Sequence, residues 1–172
     1  MSKFKENKNG YIFVIFLILG LSMTRLIPHP WNFSPMLAAG VFSGFYFRQF
    51  YLSLFIVIFS MFIGDFFLGF HSTMLFTYSS LTITVLIGLY LKNLKFINIL
   101  YSSVASSVFF FLITNFGAWL THEIYVKNFY GLIESYIMAI PFFHNTLLST
   151  FIYLFALKLL FELAEKREFL KT

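Results

Sequence analysis

The chain has 172 residues, 59% of them hydrophobic, 11% charged and 27 of them Phe, whereas soluble domains run roughly 45–50% apolar and 25% charged. That balance excludes a water-soluble enzyme and points to an integral membrane protein. The absence of Cys excludes disulfides, thiolate metal sites and cysteine nucleophiles. The net charge of +5 is spread over the ends of apolar runs, so it reads as a topology signal and not as a nucleic-acid surface.

At about 20 residues per crossing, six helices would use roughly 120 residues and leave only short loops. The expected fold is therefore all-α, an integral membrane six-helix bundle with the N- and C-termini cytoplasmic. Its spans are expected at about 11–27, 35–47, 50–68, 74–91, 97–121 and 141–161. The basic N-terminus lacks a small-residue cleavage site, so the first span is read as retained.

Pro28 and Pro30 end that span, and Pro28 to Pro35 forms a loop in which His29, Trp31 and Asn32 suit the membrane interface and a fold back over a cavity. The next run, Met36 to Phe47, is short, and charge decides whether it crosses. If it does, Lys3, Lys5, Lys8, Arg48, Lys92, Lys95, Lys158, Lys166, Arg167 and Lys171 lie toward the cytoplasm, leaving Arg25 and Lys127 outside, ten against two. If it does not, the split is four against eight.

The same run carries Ala39, Gly40, Ser43 and Gly44, a small-xxx-small pattern that lets another helix approach closely. Packing within the chain is the favoured use, and docking of a partner subunit is the other. In the third span Asp65 is the only Asp of the chain; a carboxylate there needs a partner or water, and both a salt bridge to Arg25 and contact with a substrate are open. Ser and Thr of the fourth and fifth spans can return their hydroxyls to their own helix.

The stretch Ile113 to Asn145 carries most of the polar chemistry. At helical spacing Asn115, Trp119 and His122 share one face, and Glu134, Met138, Pro141 and Asn145 share another. Because Pro141 suits a first helical turn, a short surface or re-entrant helix is expected at Tyr130 to Ala139, with the last span starting at Pro141. Arg25, Asp65, Asn115, Trp119, Glu134, His144 and Asn145 then fall at one depth near the outer surface. This suits a one-sided pocket better than a pore. Trp119, Trp31, Tyr125 and Tyr136 offer flat faces for a heteroaromatic ligand, although Trp31 and Tyr125 fit an interfacial belt better.

No metal site is expected, since HExxH is absent, and no cofactor is. No P-loop, GxGxxG or nucleophile elbow occurs, so the chain carries no ATP site of its own and is read as a non-enzyme. The alternative is a small intramembrane enzyme acting on a lipid or isoprenoid, with Asp65, Glu134 or His144 as acid and base.

Arg25 with Pro28, Asn32-Phe33-Ser34-Pro35, Gly64-Asp65 with Leu68-Gly69-Phe70-His71, Thr114-Asn115-Phe116 with Trp119, and Ile140-Pro141-Phe142-Phe143 with Asn145 resemble an uncharacterised bacterial membrane family. That family is similar to the substrate-binding S components of energy-coupling-factor (ECF) vitamin transporters. The resemblance covers about Arg25 to Phe155. It implies an outward pocket closed by loops in the bacterial cytoplasmic (inner) membrane, with a vitamin or similar micronutrient as substrate and lipids around the bundle. It also implies docking onto a transmembrane coupling subunit driven by two ATPase subunits, for which Ala39, Gly40, Ser43 and Gly44 are the expected surface. On this reading the substrate-binding residues are Arg25, Asn32, Asp65, His71, Asn115, Trp119, Glu134, Tyr136, His144 and Asn145. None of the established S-component ligand motifs is recognisable, so the ligand itself stays open.

Overall fold

A computed structural model describes residues 8–166. Lys3, Lys5, Arg167 and Lys171, expected toward the cytoplasm, lie outside the described residues. The described chain is all-helical: α1 (Lys8–Ser22, continued by a 3-10 turn, Met23–Leu26), α2 (Met36–Phe47), α3 (Phe50–Leu68), α4 (Met74–Tyr90), α5 (Phe96–Thr121) and α6 (Phe129–Lys166). Four segments are long and apolar enough to cross a membrane: Asn9–Leu26, α3, α5 and α6. α2 and α4 are shorter apolar helices.

The surface is what lipid requires. Large apolar side chains stand exposed, among them Phe55, Phe59, Phe62 and Phe66 along one face of α3, while sixteen polar residues among those described, nearly all Ser and Thr, are buried. In water that arrangement would be unstable; in hydrocarbon an outward Phe costs nothing, and small polar residues let helices close on each other. The hydroxyls mostly bond carbonyls three or four residues back, as Ser60 does to Ile56 and Thr150 to Thr146, so they enter the apolar interior already satisfied.

The centre of the molecule is its shortest helix. Eleven of the twelve residues of α2 are buried, and α2 packs against each of the other five helices. At 1.5 Å per residue its twelve residues extend only about 18 Å, well under the ~30 Å hydrocarbon thickness. Covered all round, it meets no lipid and need not match that thickness.

Glycines set the approach of α2 to α4. A Cβ built on Gly44 would lie 2.2 Å from the Val85 carbonyl oxygen, one on Gly88 2.1 Å from that of Val41, and one on Gly40 1.8 Å from Thr84 Oγ1. The two backbones touch, and they run in the same direction. The order of these contacts, Gly40 by Thr84 and Gly44 by Val85 and Leu89, makes α2 and α4 parallel, with α3 returning between them in sequence. α5 and α6 are antiparallel, joined by Ser135 to Asn115 near one end and by Ser107 to Thr150 further along.

One end of the bundle therefore gathers the start of α2, α4 and α6 with the finish of α1, α3 and α5. At the other end Arg48, in the left-handed region at φ 56°, stops α2 and donates to the carbonyls of Leu89 and Leu91, capping α4. Tyr11, Tyr46 and Phe161 close that end by edge-to-face contacts at 5.1–5.9 Å.

The last helix departs from expectation. No separate surface helix forms at Tyr130 to Ala139; α6 is continuous over 38 residues, with Pro141 inside it. Proline removes one backbone donor, yet the segments on both sides are fastened to the same neighbour. Before it, Tyr136 OH donates to the Leu112 carbonyl; after it, the Phe143 ring packs edge-on to Phe111 at 5.3 Å. Since α5 holds both halves, they stay in line.

Candidate functional site

A cavity of about 530 Å³ opens at the end where α2 and α4 begin. Its origin is the shortness of α2. The central helix stops at Met36, and the space beyond it is left between the longer outer helices and the Pro28–Pro35 loop.

The floor is apolar: Met36 and Leu37 from the first turn of α2, Met61 from α3, Leu81 from α4 and Phe110 from α5. Toward the mouth the lining turns polar, with Arg25, His29, Trp31, Asn32 and Ser34 on one side and His71, Thr73, Thr77, Thr114, Asn115 and His122 on the others. An apolar body with a few placed polar groups is the usual make-up of a small-molecule site, and the volume lies within the usual range of such clefts.

Arg25 is held by α3. Its Nη2 donates to Asp65 Oδ1 at 2.8 Å, and its Nη1 to the Met61 carbonyl at 3.2 Å. Gly64 is why the guanidinium can lie there, because a Cβ at that position would come 2.6 Å from Arg25 Nη1. Asp65 is fully buried and its second oxygen accepts from Tyr78 OH at 2.9 Å. The carboxylate thus sits behind Arg25 and does not line the cavity, whereas Arg25 does.

Several of the remaining lining groups keep a donor or acceptor unspent. The Asn115 amide nitrogen donates to the Phe111 carbonyl at 2.7 Å, leaving its oxygen as an acceptor. His29 Nδ1 lies 2.6 Å from the Ile27 carbonyl; a carbonyl only accepts, so Nδ1 carries the proton and Nε2 is the ring atom left over. His71 Nδ1 pairs with the Thr73 hydroxyl at 2.8 Å. The loop is anchored by Asn145, whose amide donates to the Trp31 carbonyl at 3.0 Å, and it turns through Asn32 in the left-handed region at φ 61°.

Of the residues singled out from sequence, Arg25, Asn32, His71 and Asn115 line the cavity. Asp65 and Asn145 each hold a residue that does. The other four lie elsewhere. Trp119 shares the helical spacing of Asn115, yet its indole N–H donates 3.0 Å to the Val126 carbonyl and clamps the loop after α5. Lys127 joins that clamp by donating to the carbonyls of Trp119 and His122. Tyr136 is spent on α5, and Glu134 and His144 are exposed and outside the lining. The four small residues expected to dock a partner are buried in the chain, both glycines against α4.

Sequence reasoning assigned Trp31 to an interfacial belt and passed over Thr77, Thr114 and Thr146, all of which line the cavity. Only Thr77, in the first turn of α4, stands at a helix end; Thr114 and Thr146 lie inside α5 and α6, and nothing local marks them. Among the described residues no group of three His, Asp or Glu could hold a metal ion.

Residues 5–172 match a family of unknown function, DUF6580, and the chain belongs to that family. No curated protein and no solved structure matches it.

Proposed function

We propose that this DUF6580 member is a membrane-embedded capture protein for a small molecule, working as the substrate-binding component of an ECF-type importer for a vitamin or similar micronutrient. The observation that carries the reading is the position of the cavity: one compartment, polar at its rim and apolar at its floor, at a single end of the bundle. Arg48, Lys92 and Lys95 belong to the opposite end, and by the positive-inside tendency that end is cytoplasmic. All six helices then cross or nearly cross the bacterial inner membrane, both termini are cytoplasmic, and the cavity faces outward. Because Ala39, Gly40, Ser43 and Gly44 are buried within the chain, both glycines against α4, docking of a coupling subunit with its two ATPases falls on other helix faces.

An intramembrane enzyme acting on a lipid or isoprenoid gains less support. It needs an acid and a base within reach of one bond, while Asp65 is engaged by Arg25 and Tyr78, and Glu134 and His144 stand outside the cavity. The test is mass spectrometry of small molecules that co-purify with the detergent-solubilised chain, followed by a thermal-shift panel of vitamins and their precursors. A single stabilising compound whose effect is lost in Asn115→Ala supports capture. If nothing co-purifies and nothing in the panel stabilises the chain, the proposal fails.

A further inference from the structure

Resting on the capture reading, we infer that the ligand carries one carboxylate, seated beside Arg25 and the start of α2, with a flat apolar body against Met61, Leu81 and Phe110. Three independent features of the cavity share one sign. First, its lining holds a guanidinium and three imidazoles but no Asp or Glu. Asp65 neutralises Arg25 only from behind: it is fully buried and outside the lining, so a ligand meets the cation first, and Coulomb interaction falls with distance. Of the five guanidinium N–H donors, the Met61 and Asp65 contacts leave the Nε–H and one Nη2–H for another acceptor.

Second, α2 and α4 both begin at the cavity, with Met36, Leu37, Thr73 and Thr77 in its wall. The first backbone bond into α2 is from Ala39 N–H to the Pro35 carbonyl, so the N–H of Leu37, a residue of the lining, has no helical partner. Positive helix ends favour an anion there. Third, of the three helix finishes at this end, that of α5 is capped by Lys127 on the carbonyls of Trp119 and His122.

One guanidinium, already shared with Asp65, suits a single negative charge better than a dianionic phosphate, which is commonly clamped by several cations. The apolar floor and the Trp31 ring favour a flat body over a sugar.

The experiment uses three probes with one shared body and charges of −1, 0 and +1: indole-3-acetate, indole-3-acetamide and tryptamine. Each is titrated at pH 7.5 into the detergent-purified full-length chain, with melting temperature and calorimetric Kd as readouts. The acetate is expected to bind at least about tenfold more tightly than the amide, the advantage of a charge-assisted hydrogen bond, and tryptamine not at all. In the double variant Arg25→Gln/Asp65→Asn, which removes both charges together, the tenfold difference between the acetate and the amide is lost. Amide or amine binding as well as the acetate overturns the carboxylate assignment while leaving capture standing. Failure of all three to bind wild-type protein also overturns it, and capture is then judged by the co-purified molecule alone. The wild-type series decides the question even where the double variant does not fold.

Discussion

The side-chain amide of Asn145 donates to the main-chain oxygen of Trp31 at 3.0 Å, tying the middle of the last helix to a loop 114 positions earlier in the chain. With the Phe33 ring packed on Tyr153 at 5.9 Å, this bond holds the proline-rich loop at the cavity, which Trp31 and its neighbours His29 and Asn32 all line. Asn145→Leu should therefore loosen the loop more than the fold. We expect faster amide exchange at residues 31–34 and a loss of global stability of only about 1 kcal/mol, the worth of one hydrogen bond. Hydrogen exchange read by mass spectrometry checks it; unchanged exchange in the loop would show that the bond anchors nothing.

Arg25 and Asp65 form a mostly buried pair, and removing one partner strands the other. Asp65→Ala is expected to cost about 3–5 kcal/mol, whereas the double change Arg25→Met/Asp65→Leu should cost less than that single change. Tyr78→Phe, which removes one donor to Asp65, should cost about 1.5–3 kcal/mol because the acceptor is charged. Detergent-melting temperatures of the four proteins decide between a coupled pair and independent side chains. A double change that costs more than Asp65→Ala alone would contradict the pairing.

The α2 and α4 backbones meet at glycines, so a single methyl group has nowhere to go. Gly44→Ala and Gly88→Ala are each expected to destabilise by at least about 1–3 kcal/mol, the usual cost of overpacking. Gly20, on α1, has no atom within 4 Å of a built Cβ, and Gly20→Ala should be neutral or stabilising by up to about 1 kcal/mol through helix propensity. Melting temperatures of the three variants provide the comparison. Equal tolerance at all three sites would mean that α2 and α4 do not touch.

Pro141 sits within a helix that does not break. Pro141→Ala restores a backbone donor, and we expect it to raise stability, by at most about 3 kcal/mol, with the helical content unchanged. Circular dichroism and thermal melting measure both quantities. A lower melting temperature would show that the proline shapes the contact between α6 and α5.

Because the chain has no Cys, single cysteines report topology without interference. In intact cells a membrane-impermeant maleimide should label Glu123→Cys, beside the cavity-lining His122, and should label Asn93→Cys, between the basic residues Lys92 and Lys95, only after the cells are opened. The reverse pattern would turn the cavity to the cytoplasm and remove the capture proposal.

Composition and run length were sufficient to determine an all-helical chain suited to a membrane, because hydrocarbon leaves so few ways to satisfy a backbone. Most helix ends were legible too: α3 runs from Phe50 to Leu68 and α5 stops at Thr121, where polar residues and Gly69 interrupt apolar runs. The sequence also brought Arg25 and Asp65 to one depth, since a lone carboxylate in an apolar run needs a counter-charge. Periodicity could not say which of two residues on one face, Asn115 or Trp119, meets the cavity, because that depends on where the neighbouring loop folds and which carbonyl it offers. Nor could it place the shortest helix at the centre. Only the assembled bundle decided that α2 is surrounded, that its glycines are consumed by α4, that Pro141 stays helical under the hold of α5, and that a cavity is left beyond Met36. Those outcomes rest on contacts between residues far apart in the chain, and local pattern carries no record of them.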